Sequence, residues 1–236
     1  MQRPLIAVFR GGYSGESIVS HQSATRMMEA LDADRYDAVY ITIDRVQWTC
    51  EDRRGSALDL DRGQLTVDRG QGGERVAAAL IAIHGSPGED GLLQGHLDIL
   101  GIPYQTGDVL NMAVTFSKFS TVALLRQLGF PVAPSVLVMR SMPDALARAA
   151  TIGFPCFVKP DRSGSSLGVS KVKHVDELGP ALQAAFEQGR LSADLPTGEV
   201  AMAEVEGIQI AALATRATDA GPQLFASVVN HGLIDR

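Results

Sequence analysis

Three short segments concentrate the residues able to do chemistry. In Lys159-Pro160-Asp161-Arg162-Ser163-Gly164-Ser165-Ser166-Leu167-Gly168 a lysine ends an apolar stretch and a run of Gly and Ser follows. Glycines leave backbone N–H groups unhindered, hydroxyls add donors, and Lys159 supplies fixed positive charge, a combination suited to phosphate oxygens. A plain hairpin with a solvated lysine fits the same residues. No G-x-x-x-x-G-K-[ST] occurs in the chain, so this is not a Walker loop.

The second segment, Gly11-Gly12-Tyr13-Ser14-Gly15-Glu16, follows the first apolar run, at the strand end where open α/β sheets bind ligands. Its spacing does not match G-x-G-x-x-G. Glu16 either complements a helix dipole or holds a substrate ammonium. The third segment is His84-Gly85-Ser86-Pro87-Gly88-Glu89-Asp90-Gly91, where His84 is either a satisfied core histidine or part of a site. Lys118 lies early in an expected helix, where its charge opposes the dipole; it either points to solvent or serves an anion.

The elements that must position these residues alternate between strand and helix. Leu5 to Phe9 reads as a buried parallel strand, with Ser14 the N-cap of a helix from about 16 to 31. Val39 to Ile43 is a second strand and residues 50–75 a surface hairpin. Ala77 to His84 is a strand and Asp90 to Leu100 a helix whose Leu97, Ile99 and Leu100 face the core. This order predicts an open, mostly parallel sheet through residue 105. Beyond it, Thr115 caps a helix from Phe116 to Leu128, Ser135 to Met139 is a strand, and Ser141-x-x-Asp144 resembles a capping box for a helix reaching Ala150. Phe154 to Pro160 and Val169 to Val172 are strands, Asp176 to Gln188 is a helix, and Glu199 to Leu213 is strand-like.

Composition narrows the function classes. The 236 residues are 45% hydrophobic and 20% charged, an ordinary globular balance that excludes disorder and fibrous repeats. A net charge of −6 argues against nucleic acid as partner. The apolar run of Leu5 to Phe9 is too short for a signal-peptide core or a membrane span, so the expectation is a cytoplasmic protein without membrane insertion. Cys50 and Cys156 show no metal spacing and read as free thiols, Cys156 within a buried strand.

Taken together the three segments resemble the D-alanine–D-alanine ligases. Gly11 to Glu16 with Val19-Ser20 is similar to the family's opening motif. Ile83-His84-Gly85-x-x-Gly88-Glu89-Asp90-Gly91-x-x-Gln94-Gly95, followed by Leu100-Gly101-Ile102-Pro103-Tyr104, is similar to its second. Phe157 to Lys171 resembles its phosphate loop. The resemblance covers about residues 5–175. It implies an amino-terminal open parallel-sheet, substrate-binding domain (1–105), a central ATP-grasp domain with the phosphate loop (106–190), and a partial or divergent C-terminal ATP-grasp segment (191–236), α/β and α+β in class. It also implies that ATP phosphorylates one D-alanine and that the amine of a second attacks the acyl phosphate, for peptidoglycan. Glu16 would hold the first ammonium, with His84 beside that substrate. Lys118, Lys159 and the Gly164, Ser165, Ser166 and Gly168 loop would bind ATP, and Ser165 would also orient Glu16 and the attacking amine. A homodimer through the amino-terminal domain is implied too.

The resemblance weakens after about residue 200. Aligned on Gly207, the family's two nucleotide-binding glutamates fall on Met202 and Gln209; Gln209 can still bond a ribose hydroxyl, and a shifted register offers Glu204 instead. No lid with Lys-Tyr and no Glu-x-Asn follows, so the family's magnesium ligands are not found, and Asp219 and Asp235 read as solvated. The expectation is therefore a truncated or altered chain that binds nucleotide weakly, does not turn over, and aggregates through an open sheet edge. An inactive relative and an ATP-grasp carboxylate–amine ligase with another substrate stand as alternatives.

Overall fold

The computed structural model describes residues 3–70, 72–192, 200–205, 209–218 and 221–229, with side chains through residue 189. It divides into two compact units, one from the start of the chain to Phe116 and one that begins at Ser117.

The first unit is built on strands β1 (Leu5–Gly11), β2 (Asp37–Ile43), β3 (Trp48–Asp52), β4 (Ala57–Asp61), β5 (Thr66–Asp68), β6 (Gly73–Arg75) and β7 (Ala78–Ile81), with helices α1 (Ser17–Ala30), α2 (Leu92–Leu100) and α3 (Val109–Phe116). The strands form one sheet in the order β6-β5-β4-β3-β2-β1-β7. β1 lies between β2 and β7 and is parallel to both, as its unbroken apolar run requires. One face of β1 packs Leu5, Ala7 and Phe9 against Leu93 and Leu97 of α2; the other packs Ile6 and Val8 against Ala24 and Met28 of α1.

The remaining strands pair antiparallel, so the parallel part is the trio β2-β1-β7. Residues 50–75 are more than the surface hairpin expected, because Leu65 and Val67 are fully buried in the same core as Phe9. Within α2, Leu97 is buried but Ile99 is 85% exposed, contrary to its expected core position. The helix turns 100° per residue, and two steps from Leu97 carry Ile99 to the opposite face.

The second unit comprises α4 (Lys118–Gln127), β8 (Ser135–Met139), α5 (Ala145–Ala150), β9 (Cys156–Pro160), β10 (Ser170–Val172), α6 (Leu178–Ser192), β11 (Val200–Val205), β12 (Gln209–Thr218) and β13 (Gly221–Val229). Its main sheet runs β10-β9-β11-β8, antiparallel throughout, and β12 and β13 form a separate antiparallel pair. Val138, Cys156, Val158 and Val172 pack on Leu178, Ala181, Leu182, Ala185 and Phe186 of α6. Cys50 and Cys156 are both free and buried, and burial pushes the Cys50 thiol up to about 11.

Three expected caps are corrected. Ser14 does not cap α1, whose N-cap is Glu16 without a side-chain bond. The helix expected from Phe116 is two helices, α3 and α4; Ser117 caps the second, accepting from Ser120 N, while Thr115 donates within α3 to Asn111 O. The capping box expected of Ser141 and Asp144 does not form: the N-cap of α5 is Asp144 itself, which makes no side-chain capping bond. In each case a hydroxyl or carboxylate has a choice of nearby backbone partners that local spacing does not decide.

Burial separates Leu97 from Ile99. Leu97→Ala is expected to cost about 2–5 kcal/mol and Ile99→Ser less than about 0.5 kcal/mol, measured by denaturant unfolding.

Candidate active site

In the first unit the parallel pairing of β1 with β7 brings the turns that follow them together. Tyr13 N donates to Ser86 O (2.8 Å), and Ser14 Oγ donates to His84 O (2.9 Å) while accepting from Glu16 N (3.2 Å). Ser14 is thus a bridge between the two motifs. Gly85, at φ +76°, lies beneath the bridge: a Cβ there would stand 2.9 Å from Ser14 Cβ and 3.9 Å from Glu16 Oε2. Glycine is required by this approach as much as by the positive φ. Gly88 is hemmed in likewise, 2.5 Å from Ile83 Cβ by the same construction.

Glu16 and His84 are both half-buried at these strand ends, their turns joined through Ser14, with Glu16 Oε2 on the Gly85 side of the bridge. Ser23 Oγ of α1 lies 3.2 Å from His84 Nε2. Glu89, noted in the sequence only as one acid in a cluster, accepts from Gly85 N at 2.7 Å. Burial pushes its carboxyl above the ordinary range and Glu16 adds to that, while the Gly85 N–H and His84 oppose it. Gln94, fully buried, donates to Gly88 O (2.7 Å) and Thr106 Oγ1 (3.0 Å) and so pins the turn to the start of the next segment.

In the second unit the loop after β9 carries Gly164, Ser165, Ser166 and Gly168. Ser165 and Ser166 adopt φ of 48° and 57°, left-handed conformations that non-glycine residues hold only when surroundings impose them. Gly168 lies against α6, where a Cβ would meet Gln188 Cβ at 2.6 Å. Lys159 is half-buried on β9 between buried Val158 and Pro160, and its backbone register partner on β11 is Met202. Glu204 pairs with Phe157 in the same register. Gln209 opens β12 opposite Val229; its side chain, with Gly207, Asp219 and Asp235, lies outside the described residues.

Lys118 is the first residue of α4, and the structure explains how a cation is tolerated there. The Asp161 carboxylate, only 6% exposed, sits on the helix N-terminus: Oδ1 accepts from Phe119 N (2.8 Å) and Oδ2 from Ser117 Oγ (2.9 Å). That anion answers the dipole. Lys118 Nζ then donates to Ser163 O (2.6 Å) and Asp161 O (3.3 Å), so the ammonium is laid against the phosphate-type loop. Asp161 was not singled out from the sequence, because its partners lie more than forty residues earlier in the chain.

Two family models match, D-ala D-ala ligase N-terminus over residues 5–107 and D-ala D-ala ligase C-terminus over residues 124–191. The chain belongs to the D-alanine–D-alanine ligase family. It is 38% identical over 191 residues to a D-alanine–D-alanine ligase of Porphyromonas gingivalis and 37% identical over 184 residues to one of Phocaeicola vulgatus. These alignments take in 80% and 78% of this chain and 58% and 57% of the two relatives. The chain thus spans somewhat over half the length of the ligases it matches. Among solved structures it is similar to D-alanyl-alanine synthetase A from Vibrio cholerae (TM-score 0.77, 25% identity, 96% of this chain and 66% of that one). It is similar also to the VanG D-Ala:D-Ser ligase from Enterococcus faecalis (TM-score 0.72, 27% identity, 96% and 69%). The ATP-grasp expectation for the fold is borne out by these ligase neighbours.

Asp161→Ala is expected to destabilise the second unit by about 1–3 kcal/mol, since it strips a buried acceptor from Phe119 N and Ser117; thermal unfolding checks it. Glu89 gives a pH-dependent outcome. Its folded-state carboxyl lies above the ordinary glutamate value, so the folded chain binds the proton more tightly than the unfolded one. Stability therefore falls as pH rises from the ordinary value through the raised one. Glu89→Gln is expected to flatten that fall, read from thermal midpoints between about pH 4 and 7.

Proposed function

We propose that this chain carries the substrate- and phosphate-binding parts of an ATP-dependent D-alanine–D-alanine ligase of peptidoglycan synthesis. The observation that carries the reading is the Ser14 bridge between the two turns, which bonds Glu16 N and His84 O and so sets at one strand end a carboxylate and an imidazole, residue types matched to an amino acid's ammonium and carboxylate. ATP supplies the phosphoryl group: a carboxylate oxygen of the first D-alanine attacks the γ-phosphorus and ADP leaves. The amine of the second then attacks the acyl carbon, losing a proton as phosphate departs.

In this reading Glu16 holds the first ammonium and His84 flanks the same substrate. Lys118 and Lys159 bind the nucleotide phosphates and offset charge developing during transfer. Gly164, Ser165, Ser166 and Gly168 line the phosphates, Ser165 also orients Glu16 and the attacking amine, and Gln209 bonds a ribose hydroxyl. Residues 1–105 are the substrate domain, 106–190 the phosphate-loop domain and 191–236 a partial C-terminal segment. We place the protein in the cytoplasm, as a homodimer; among the described residues no helix is long and apolar enough to cross a membrane.

Among the described residues no group of three or more His, Cys, Asp or Glu could hold a metal ion. The likeness to a D-Ala:D-Ser ligase supports a second reading, the same chemistry with a different second amino acid.

Calorimetry with ATP and with D-alanine, joined to a phosphate-release assay, tests the proposal. Glu16→Gln is expected to abolish D-alanine binding and leave ATP binding intact. Lys159→Ala is expected to weaken ATP about tenfold or more, the usual loss for a charge-assisted bond. A chain that binds neither ligand sinks the reading. Binding without phosphate release makes it a binding module, and release with D-serine but not D-alanine in second place selects the alternative.

A further inference from the structure

His84 is gripped at two points, and the second grip has a chemical consequence. Its carbonyl is held by Ser14 Oγ, and its ring nitrogen Nε2 lies 3.2 Å from Ser23 Oγ. Two other serines in the same region serve the backbone: Ser20 Oγ, fully buried, accepts from Gly11 N (2.9 Å), and Ser14 accepts from Glu16 N. Ser20 and Ser23 are one turn apart on α1, so the helix face that holds the end of β1 also presents a hydroxyl to the imidazole. Among the described residues, His84 Nε2 is the hydrogen-bond partner of Ser23 Oγ.

We infer that Ser23 is the positioning residue of His84, its hydroxyl donating to Nε2 and so keeping the ring hydrogen on Nδ1. A neutral imidazole has one donor and one acceptor nitrogen, and the hydrogen bond made by one fixes the state of the other. With Nε2 committed to Ser23, the nitrogen left for a ligand is a donor. A donor suits the carboxylate of an amino acid, whereas an acceptor there would repel it. The Glu89 carboxylate already lies within electrostatic reach of His84. A nitrogen lone pair turned to the substrate would add to that repulsion, and an N–H relieves it. The use made of this donor rests on the reading of His84 as a D-alanine-binding residue; the hold on the tautomer does not.

The test is nitrogen NMR of the chain labelled with ¹⁵N-histidine, at a pH where His84 is neutral, for wild type, Ser23→Ala and Ser23→Thr. Wild type is expected to show the Nδ1–H tautomer, Ser23→Ala to shift to the Nε2–H form that a solvated imidazole prefers, and Ser23→Thr, which keeps the hydroxyl, to retain Nδ1–H. In parallel, D-alanine affinity should weaken about tenfold in Ser23→Ala, the upper range for one neutral hydrogen bond, and return in Ser23→Thr. An Nε2–H wild type, or an unchanged tautomer in Ser23→Ala, overturns the inference. So does D-alanine binding that is indifferent to Ser23→Ala. If the tautomer behaves as expected but wild type does not bind D-alanine, the hold on His84 stands and the substrate reading is what fails.

Discussion

The first unit depends on one close approach, that of the turn after β1 to the turn after β7. Parallel pairing on both sides of β1 aligns the strand ends, and the turns then exchange Tyr13 N to Ser86 O and Ser14 Oγ to His84 O. There is room for this because Gly85 and Gly88 carry no side chain where Ser14 and Ile83 stand. Backbone that would otherwise be unpaired at two loop ends is satisfied by the opposite loop. Glu16 and His84 inherit their positions from that contact. The core beneath serves it: Phe9, Ile41, Ile81 and Leu97 fix the strands whose ends must meet.

In the second unit an analogous role falls to a carboxylate. Asp161 leaves β9 and plugs the N-terminus of α4, joining the loop to the helix through Phe119 N and Ser117 Oγ. A buried carboxylate is costly unless bonded, and here the helix supplies the bonds. With the dipole answered, Lys118 can sit at the helix start with its ammonium on loop carbonyls. One anion thereby accounts for a lysine in a place that local sequence presents as unfavourable and joins that lysine's helix to the loop. The two units share a design: the chemistry-bearing side chains lie at element ends, and short polar side chains from elsewhere in the chain hold those ends still.

Much of this was legible. The apolar run of β1 announced a strand buried on both faces, and the glycines after β1 and β7 announced tight turns at the ligand-binding end of a sheet. The Lys159 to Gly168 segment showed its donors plainly. What misled was local degeneracy. Ile99 is as apolar as Leu97, and only the phase of α2 against the sheet sends one inward and the other to water. Ser14 and Thr115 had capping spacing, yet a hydroxyl bonds whichever backbone group folding brings nearest. Residues 50–75 alternate like a solvated hairpin, but Leu65 and Val67 had a core to enter.

The sequence by itself determined which residue types stand at which strand ends, because strand, turn and helix propensities and the needs of phosphate and carboxylate chemistry act over a few neighbouring residues. Tertiary structure alone decided which of those residues are coupled across the chain: Ser14 with His84, Ser23 with the His84 ring, Asp161 with α4. These partners lie tens of residues apart. No local preference reaches that far; sheet pairing and burial choose the partners, and hydrogen bonding then fixes them.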